Sequence, residues 1–255
     1  MKTSLTSHAL LASFMLGLAT TATASPVVIN DSYHGGDDHN HGDVIGSSNL
    51  FDVSRAQLSQ DGNILTVDIY TSFAGRADDG LFANYTDGGR GIGYGDLFLA
   101  SAWNPAGSGR YLADDHNTGT LWEYGFSLDD RWSDGGVGTL FELSGSNDDN
   151  ALLSEDFMTG ATYRNGQEIA VDVASNFTRA MTSGSWSVNT DHLRFSIDLS
   201  GSNLSLADGI ALHWGPTCGN DIIEGFAVAV PEPGSLALMA MGLLGAGAAR
   251  RRNRG

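Results

Sequence analysis

From Phe51 onward, apolar residues recur at every second position in short runs, with turn-forming residues between one run and the next. That rhythm constrains the fold more than any other feature, because a strand alternates its side chains between two faces whereas a helix repeats every 3.6 residues. The clearest pair is Phe51 to Leu58 and Ile64 to Phe73, joined across Ser59-Gln60-Asp61-Gly62-Asn63. In the second run Leu65, Val67, Ile69 and Thr71 alternate with Thr66, Asp68 and Tyr70, which predicts a hairpin with one buried face. Further strands are predicted at Asp96 to Trp103, Leu121 to Leu128, Thr139 to Leu143, Glu168 to Ala174, Leu193 to Leu199, Ile210 to Trp214 and Ile222 to Val230. In the run from Leu193, the partners Arg194, Ser196 and Asp198 face water. About ten strands with long polar connections predict an all-β domain of two packed antiparallel sheets, a single jelly-roll-like β-sandwich rather than a closed barrel. The glycine-rich segments Asp87 to Gly95 and Asp134 to Gly138 read as its most flexible loops. No internal repeat of fixed period is present, which disfavours solenoids and propellers.

The two ends have a different character. Residues 1–24 read as a signal peptide: Lys2 supplies positive charge, an apolar stretch runs from Ala9 to Ala19, and Ala22-Thr23-Ala24 has the small residues that signal peptidase needs. The mature chain is then expected to begin near Ser25. At the other end, residues 230–255 place Val230-Pro231-Glu232-Pro233-Gly234 before an uncharged run from Ser235 to Ala249, followed by Arg250-Arg251-Arg252-Asn253-Arg254. The run is marginal for a full membrane span, but arginines directly after it stay on the cytoplasmic side, which leaves residues 25–229 outside.

This tail closely resembles the PEP-CTERM sorting signal, with Pro231, Glu232 and Pro233 as its motif, Leu236 to Ala249 as its apolar helix and Arg250 to Arg254 as its basic cluster. The resemblance implies recognition by exosortase, a membrane transpeptidase-like protease that cleaves near the motif. It also implies delivery to the cell surface or the extracellular polysaccharide (biofilm) matrix of a Gram-negative-type bacterium. Membrane association through the C-terminal transmembrane helix is then only transient. An ordinary C-terminal anchor helix with a stop-transfer cluster is the alternative.

Without the two ends, eight arginines and no lysine face 29 acids, a net charge of −21. Such a surface repels nucleic acid phosphates and anionic lipid, so neither is an expected partner. It attracts cations, although a high charge also serves simply to keep a secreted protein soluble. Cys218 is the only cysteine, so no intramolecular disulfide can staple the fold.

Three groups of residues carry candidate chemistry. His34, Asp37, Asp38, His39, His41 and Asp43 crowd one short glycine-containing segment and have the ligand types for a divalent metal, while their spacing fits neither a zinc finger nor an EF-hand. Asp78-Asp79-Gly80, Asp114-Asp115-His116-Asn117, Asp129-Asp130 and Asp148-Asp149-Asn150 offer oxygen ligands for Ca2+, or are turns of the ordinary Asp/Asn/Gly kind. His213, Trp214, Cys218, Asp221 and Glu224 fall within one strand-turn-strand stretch, Gly209 to Gly225, and are expected either to form a ligand edge or to cap and fill a hairpin. That stretch, with Tyr94-Gly95-Asp96-Leu97-Phe98-Leu99 and Gly42-Asp43-Val44-Ile45-Gly46, resembles uncharacterised ectodomains that carry the same tail, which implies no known activity. Trp103, Trp122, Tyr124 and Trp132 could stack on sugar rings, or pack a core.

No Gly-x-Ser-x-Gly elbow or recognised Cys-His arrangement supports a nucleophilic enzyme. The reading is therefore an exported, non-enzymatic surface or matrix protein that binds calcium and glycan. Its alternatives are a carboxylate-dependent polysaccharide hydrolase or lyase using residues such as Glu123 or Glu224, and a purely structural matrix protein. If the histidine segment holds a metal, replacing His34, His39 and His41 by Ala lowers both metal content and melting temperature; unchanged values exclude the site.

Overall fold

The computed structural model describes residues 25–31, 44–105 and 119–229, which form one compact unit. Among these residues there are twelve strands: β1 (Val27–Asn30), β2 (Val53–Asp61), β3 (Ile64–Thr71), β4 (Leu97–Ala100), β5 (Tyr124–Leu128), β6 (Gly135–Leu143), β7 (Ala151–Leu153), β8 (Glu168–Val171), β9 (Thr178–Val188), β10 (His192–Asp198), β11 (Ile210–Trp214) and β12 (Ile223–Ala227). Ten of them make one antiparallel sheet in the order β1-β2-β3-β10-β9-β6-β5-β4-β11-β12, and β7 pairs with β8 in a small second sheet. The all-β antiparallel expectation is thus met, with one large, nearly closed sheet around the main core where two separate main sheets were expected. Its edge strands meet: a Cβ on Gly225 of β12 would come within 2.6 Å of Ile29 Cγ2 on β1. Among the described residues β1 has its ladder partner in β2 and β12 in β11, so the seam between them is packed rather than hydrogen-bonded.

Alternation sets which face is buried. Leu58, Leu65, Val67, Ile69, Leu193, Phe195 and Ile197 all point inward with no exposed surface, on three neighbouring strands. The β2–β3 hairpin is tighter than the five-residue connection expected, because Asp61 pairs with Ile64 and only Gly62 and Asn63 turn. Gly62 has φ +58°, a conformation that costs glycine nothing and that other residues rarely adopt.

Curling needs room on the concave side, and paired glycines provide it. Gly138 of β6 lies opposite Gly184 of β9, and the Phe126 ring of β5 covers both. A Cβ at Gly138 would sit 2.3 Å from Phe126 Cζ, and one at Gly184 would sit 2.9 Å from Phe126 Cε2. The same ring meets Phe195 edge-on at 6.2 Å, so the glycines let one aromatic side chain fill the fold's interior.

β4, β11 and β8 are buried along their whole length. The inner side chains of β4 and β11 join the main core, while Phe98, Ala100 and Ala211 face the other way and, with Val171 of β8, form a second apolar cluster with Trp122, Leu143 and Ala151. Two covered faces explain why these strands read as continuous apolar runs rather than alternating ones.

The segment Asp87 to Gly95, predicted to be flexible, is locked over its second half. Trp132 Nε1 donates to Gly91 O, Gly93 N donates to Thr217 Oγ1, Gly95 N donates to Gly215 O, and Tyr94 is fully buried. Glycine is needed here for close approach rather than for mobility, since a Cβ on Gly95 would lie 2.2 Å from Gly215 O. Asp134 to Gly138 likewise runs into β6.

Strand directions bring distant parts of the chain to one pole. The tip of the β2–β3 hairpin meets the loop after β10, with Leu199 N donating to Asn63 O and Leu206 N donating to Gln60 Oε1. β1 starts beside this tip, because Val27 pairs with Leu58, and Ala229 N donates to Leu206 O just beyond β12. Both ends of the folded region, Ser25 and Ala229, therefore leave the sheet at this pole. Gly95→Ala is expected to force two backbone segments apart and cost about 3 kcal/mol, a fall of roughly 6–12 °C in Tm for a domain this size, read by thermal melting.

Candidate functional site

The stretch from Gly209 to Gly225 divides its candidate residues between two faces. On β11 Ile210, Leu212 and Trp214 turn into the main core, where Trp214 Nε1 donates to Gly95 O. His213 turns the other way, toward β8. It pairs across the ladder with Glu224 of β12 and is fully buried. Its Nε2 lies 2.9 Å from Glu168 O and its Nδ1 3.3 Å from Glu224 Oε2, with the ring 5.5 Å from Trp122 and 6.1 Å from Phe98. A carbonyl oxygen only accepts, so Nε2 carries a hydrogen. The Nδ1–Glu224 contact then needs a hydrogen of its own, on the imidazole or on the carboxyl. Trp103 Nε1 donates to Glu224 Oε1 at 2.6 Å, which closes this group toward the surface with a side chain 37% exposed.

Cys218 and Asp221 lie apart from that pair. Burial pushes the Cys218 thiol up to about 12, so at neutral pH it is a small apolar group rather than a nucleophile. Asp221 accepts Val53 N at 2.6 Å and Ile222 N at 3.0 Å, and so ties the start of β2 to the turn before β12. The five residues thus resolve into one buried His213–Glu224 pair, one core tryptophan, one core thiol and one backbone-binding carboxylate. Asp221 and Cys218 play the hairpin-building roles that the sequence left open.

The acidic turns are held by local bonding. Asp79 pairs with Arg76, Asp130 with Arg90, and Asp149 accepts from Ser146 N and Oγ at the start of a short helix. Asp129 accepts from Trp186 Nε1, and that bond holds its carboxyl below the usual range. Among the described residues no three His, Cys, Asp or Glu side chains converge as metal ligands. The segment with His34, Asp37, Asp38, His39, His41 and Asp43 lies outside the described residues, as do Asp114 to Asn117 and the motif residues Pro231, Glu232 and Pro233. Of the four aromatics, Trp122 and Tyr124 are core, and the Arg90 guanidinium lies 4.2 Å from the Trp132 ring centre. Trp103 is the most open of them. Glu123, between Trp122 and Tyr124, accepts from Ser101 N and Oγ.

Sequence reading missed Asp96, the carboxylate that binds two sheets together. Its Oδ1 accepts Leu128 N, its Oδ2 accepts Val171 N, and the part-buried Arg131 places Nη2 3.2 Å from the fully buried carboxylate. The signal was an acid heading the apolar run Leu97-Phe98-Leu99, where an unpaired charge could not be buried.

Two buried groups make the fold sensitive to alkali. Burial raises both the Cys218 thiol and the Tyr94 phenol, whose oxygen accepts from Gly75 N and Arg76 N. A folded-state pKa above the unfolded value means that stability is full below the unfolded pKa and is lost as pH rises toward the folded one. For Cys218 that window opens near 9 and closes near 12. Unfolding free energy is therefore expected to decline across it, less steeply in Cys218→Ala, and a thiol reagent at pH 8 is expected to label Cys218 only after denaturant is added.

Comparison with known families supplies the functional anchor. Residues 229–252 match the family described as the PEP-CTERM protein-sorting motif. No curated protein and no solved structure matches the chain. Among the described residues no helix is long and apolar enough to cross a membrane. The tail beginning where the folded sheet ends is a PEP-CTERM sorting motif, and the chain is an exported protein processed by exosortase.

Proposed function

We propose that residues 25–229 are the mature, working part of the chain, released by signal peptidase at the N-terminal side and by exosortase at the C-terminal side. The product acts at the cell surface or in the extracellular polysaccharide matrix as a non-enzymatic acidic domain that holds Ca2+ and contacts glycan. The observation that carries this reading is the junction at Ala229. Its N–H makes the last hydrogen bond of the folded sheet, to Leu206 O, and the sorting motif starts at that same residue. Cleavage at the motif therefore parts the tail from the sheet without removing any strand. The neighbouring exit of Ser25 agrees with it, since a chain held in the membrane at both ends can close its sheet outside.

The chemistry of the interior supports a binding role over a catalytic one. Cys218 is too buried to react, Asp221 is committed to two backbone N–H groups, and Glu123 to Ser101. The net charge of −21 makes divalent cations the favoured ligands of the exterior, because each bound ion relieves carboxylate repulsion. Expressed in a host with exosortase, the full chain is expected to lose its tail and reach the surface or matrix, whereas Glu232→Ala with Pro231→Ala keeps the tail and stays with the membrane; cytosolic chain with both ends intact refutes the proposal. Calcium in excess over its Kd is expected to raise Tm relative to chelator, and superimposable melts remove calcium from the reading.

A further inference from the structure

Four large apolar side chains stand exposed near the pole from which both chain ends leave: Val28 (42%), Ile64 (42%), Phe226 (38%) and Val228 (39%). Three belong to the seam. β1 and β12 run in opposite directions there, and Ile29 and Gly225 face each other on the inner side. One residue further along each strand, alternation turns Val28 and Phe226 outward as neighbours, and Val228 follows Phe226 on the same face. Phe226 is propped in place over Gly209, where a Cβ would lie 2.2 Å from the ring. A strip of apolar surface thus crosses the seam beside the last hydrogen bond of the fold, Ala229 N to Leu206 O.

Chain length says what covers it. Pro231 is three residues beyond Val228, and an extended chain gains at most about 3.6 Å per residue, so the motif begins within about 11 Å of the strip's last residue. An enzyme that encloses Pro231-Glu232-Pro233 in a cleft reaches further than that on either side. It cannot act on the folded chain without lying on this pole. We infer that Val28, Phe226 and Val228 form a contact surface for the membrane-embedded sorting protease, so that the folded sheet itself is part of the substrate. The charge of −21 favours a protein over an anionic bilayer as the occupant.

This inference rests on the exosortase reading, and the experiment separates the two. Pulse-chase of the full chain in a host with the enzyme measures the rate at which the tail is lost. Val28→Asp with Val228→Asp is expected to slow it roughly tenfold, equivalent to about 1.4 kcal/mol of contact. The isosteric pair Val28→Thr with Val228→Thr is expected to slow it less, with the wild-type melting temperature retained as proof of folding. A flexible insert of roughly 12 Gly and Ser residues after Ala229, spanning about 19 Å, takes the strip away from the cleft and is expected to slow the wild type to the rate of the Asp variant. Wild-type rates in both substituted chains overturn the inference. So does faster processing with the insert, which would make the domain an obstruction, and so does an undiminished effect of the Asp pair in the insert background, which would place the strip against lipid. Failure of the exosortase reading looks different, because the wild type would then keep its tail or lose it independently of Pro231 and Glu232.

Discussion

The Phe126 ring over Gly138 and Gly184 is the contact on which the architecture turns. A ten-stranded antiparallel sheet has two long edges to hide and a concave face to fill, and curling solves both problems if the inner face is thinned at its middle. Two glycines opposite each other on β6 and β9 thin it, and one aromatic ring from β5 refills the space and reaches Phe195 on β10, the next strand beyond β9. With that bend in place, β1 reaches β12 and Ile29 settles on Gly225. Without it the edges would remain apart and open to other chains.

Stability comes from burial and from a few carboxylates, since no disulfide can form. Asp96 links β4, β5 and the segment around β8 through two backbone N–H groups and Arg131, and removing one partner of so buried a pair typically costs about 3–5 kcal/mol. On the exterior Arg194 clasps Asp68 with two parallel hydrogen bonds, and Arg55 and His192 lie against Tyr70 from the strands on either side. Among the described residues Arg76, Arg90, Arg131, Arg179 and Arg194 each stand against a carboxylate, where they offset repulsion locally. Lysine, a poorer partner for planar bidentate contacts, is absent from residues 25–229.

Much of this was legible from alternation. β3, β10 and β11 were predicted with boundaries close to those observed, because each buries every second side chain or is apolar on both faces. β9, the longest strand, was not predicted: in Thr178–Val188 only Trp186 is buried, and a strand held mid-sheet by its backbone leaves no apolar period to read. β1 and β7 are too short to show one. The candidate site was legible only as a segment. Spacing put His213 and Glu224 on neighbouring strands, but their pairing depends on ladder register, and the turn at Cys218 and Gly219 is held by Arg164 N donating to Cys218 O and by Gln167 beside Gly219, both far away in sequence. Glycines that serve close approach, such as Gly95, look in a sequence like glycines that serve motion.

The seam also sets an order of events. It joins the first strand of the fold to the last, so the contact of greatest sequence separation forms only when Ile223–Ala227 has emerged from the export channel. Until then the sheet keeps one open edge at β1 and another at β11, and such long-range closure is slow. Under the proposed topology, an apolar tail kept at the membrane would hold the nascent C-terminus during that wait, and the sorting peptide would then serve folding as well as delivery.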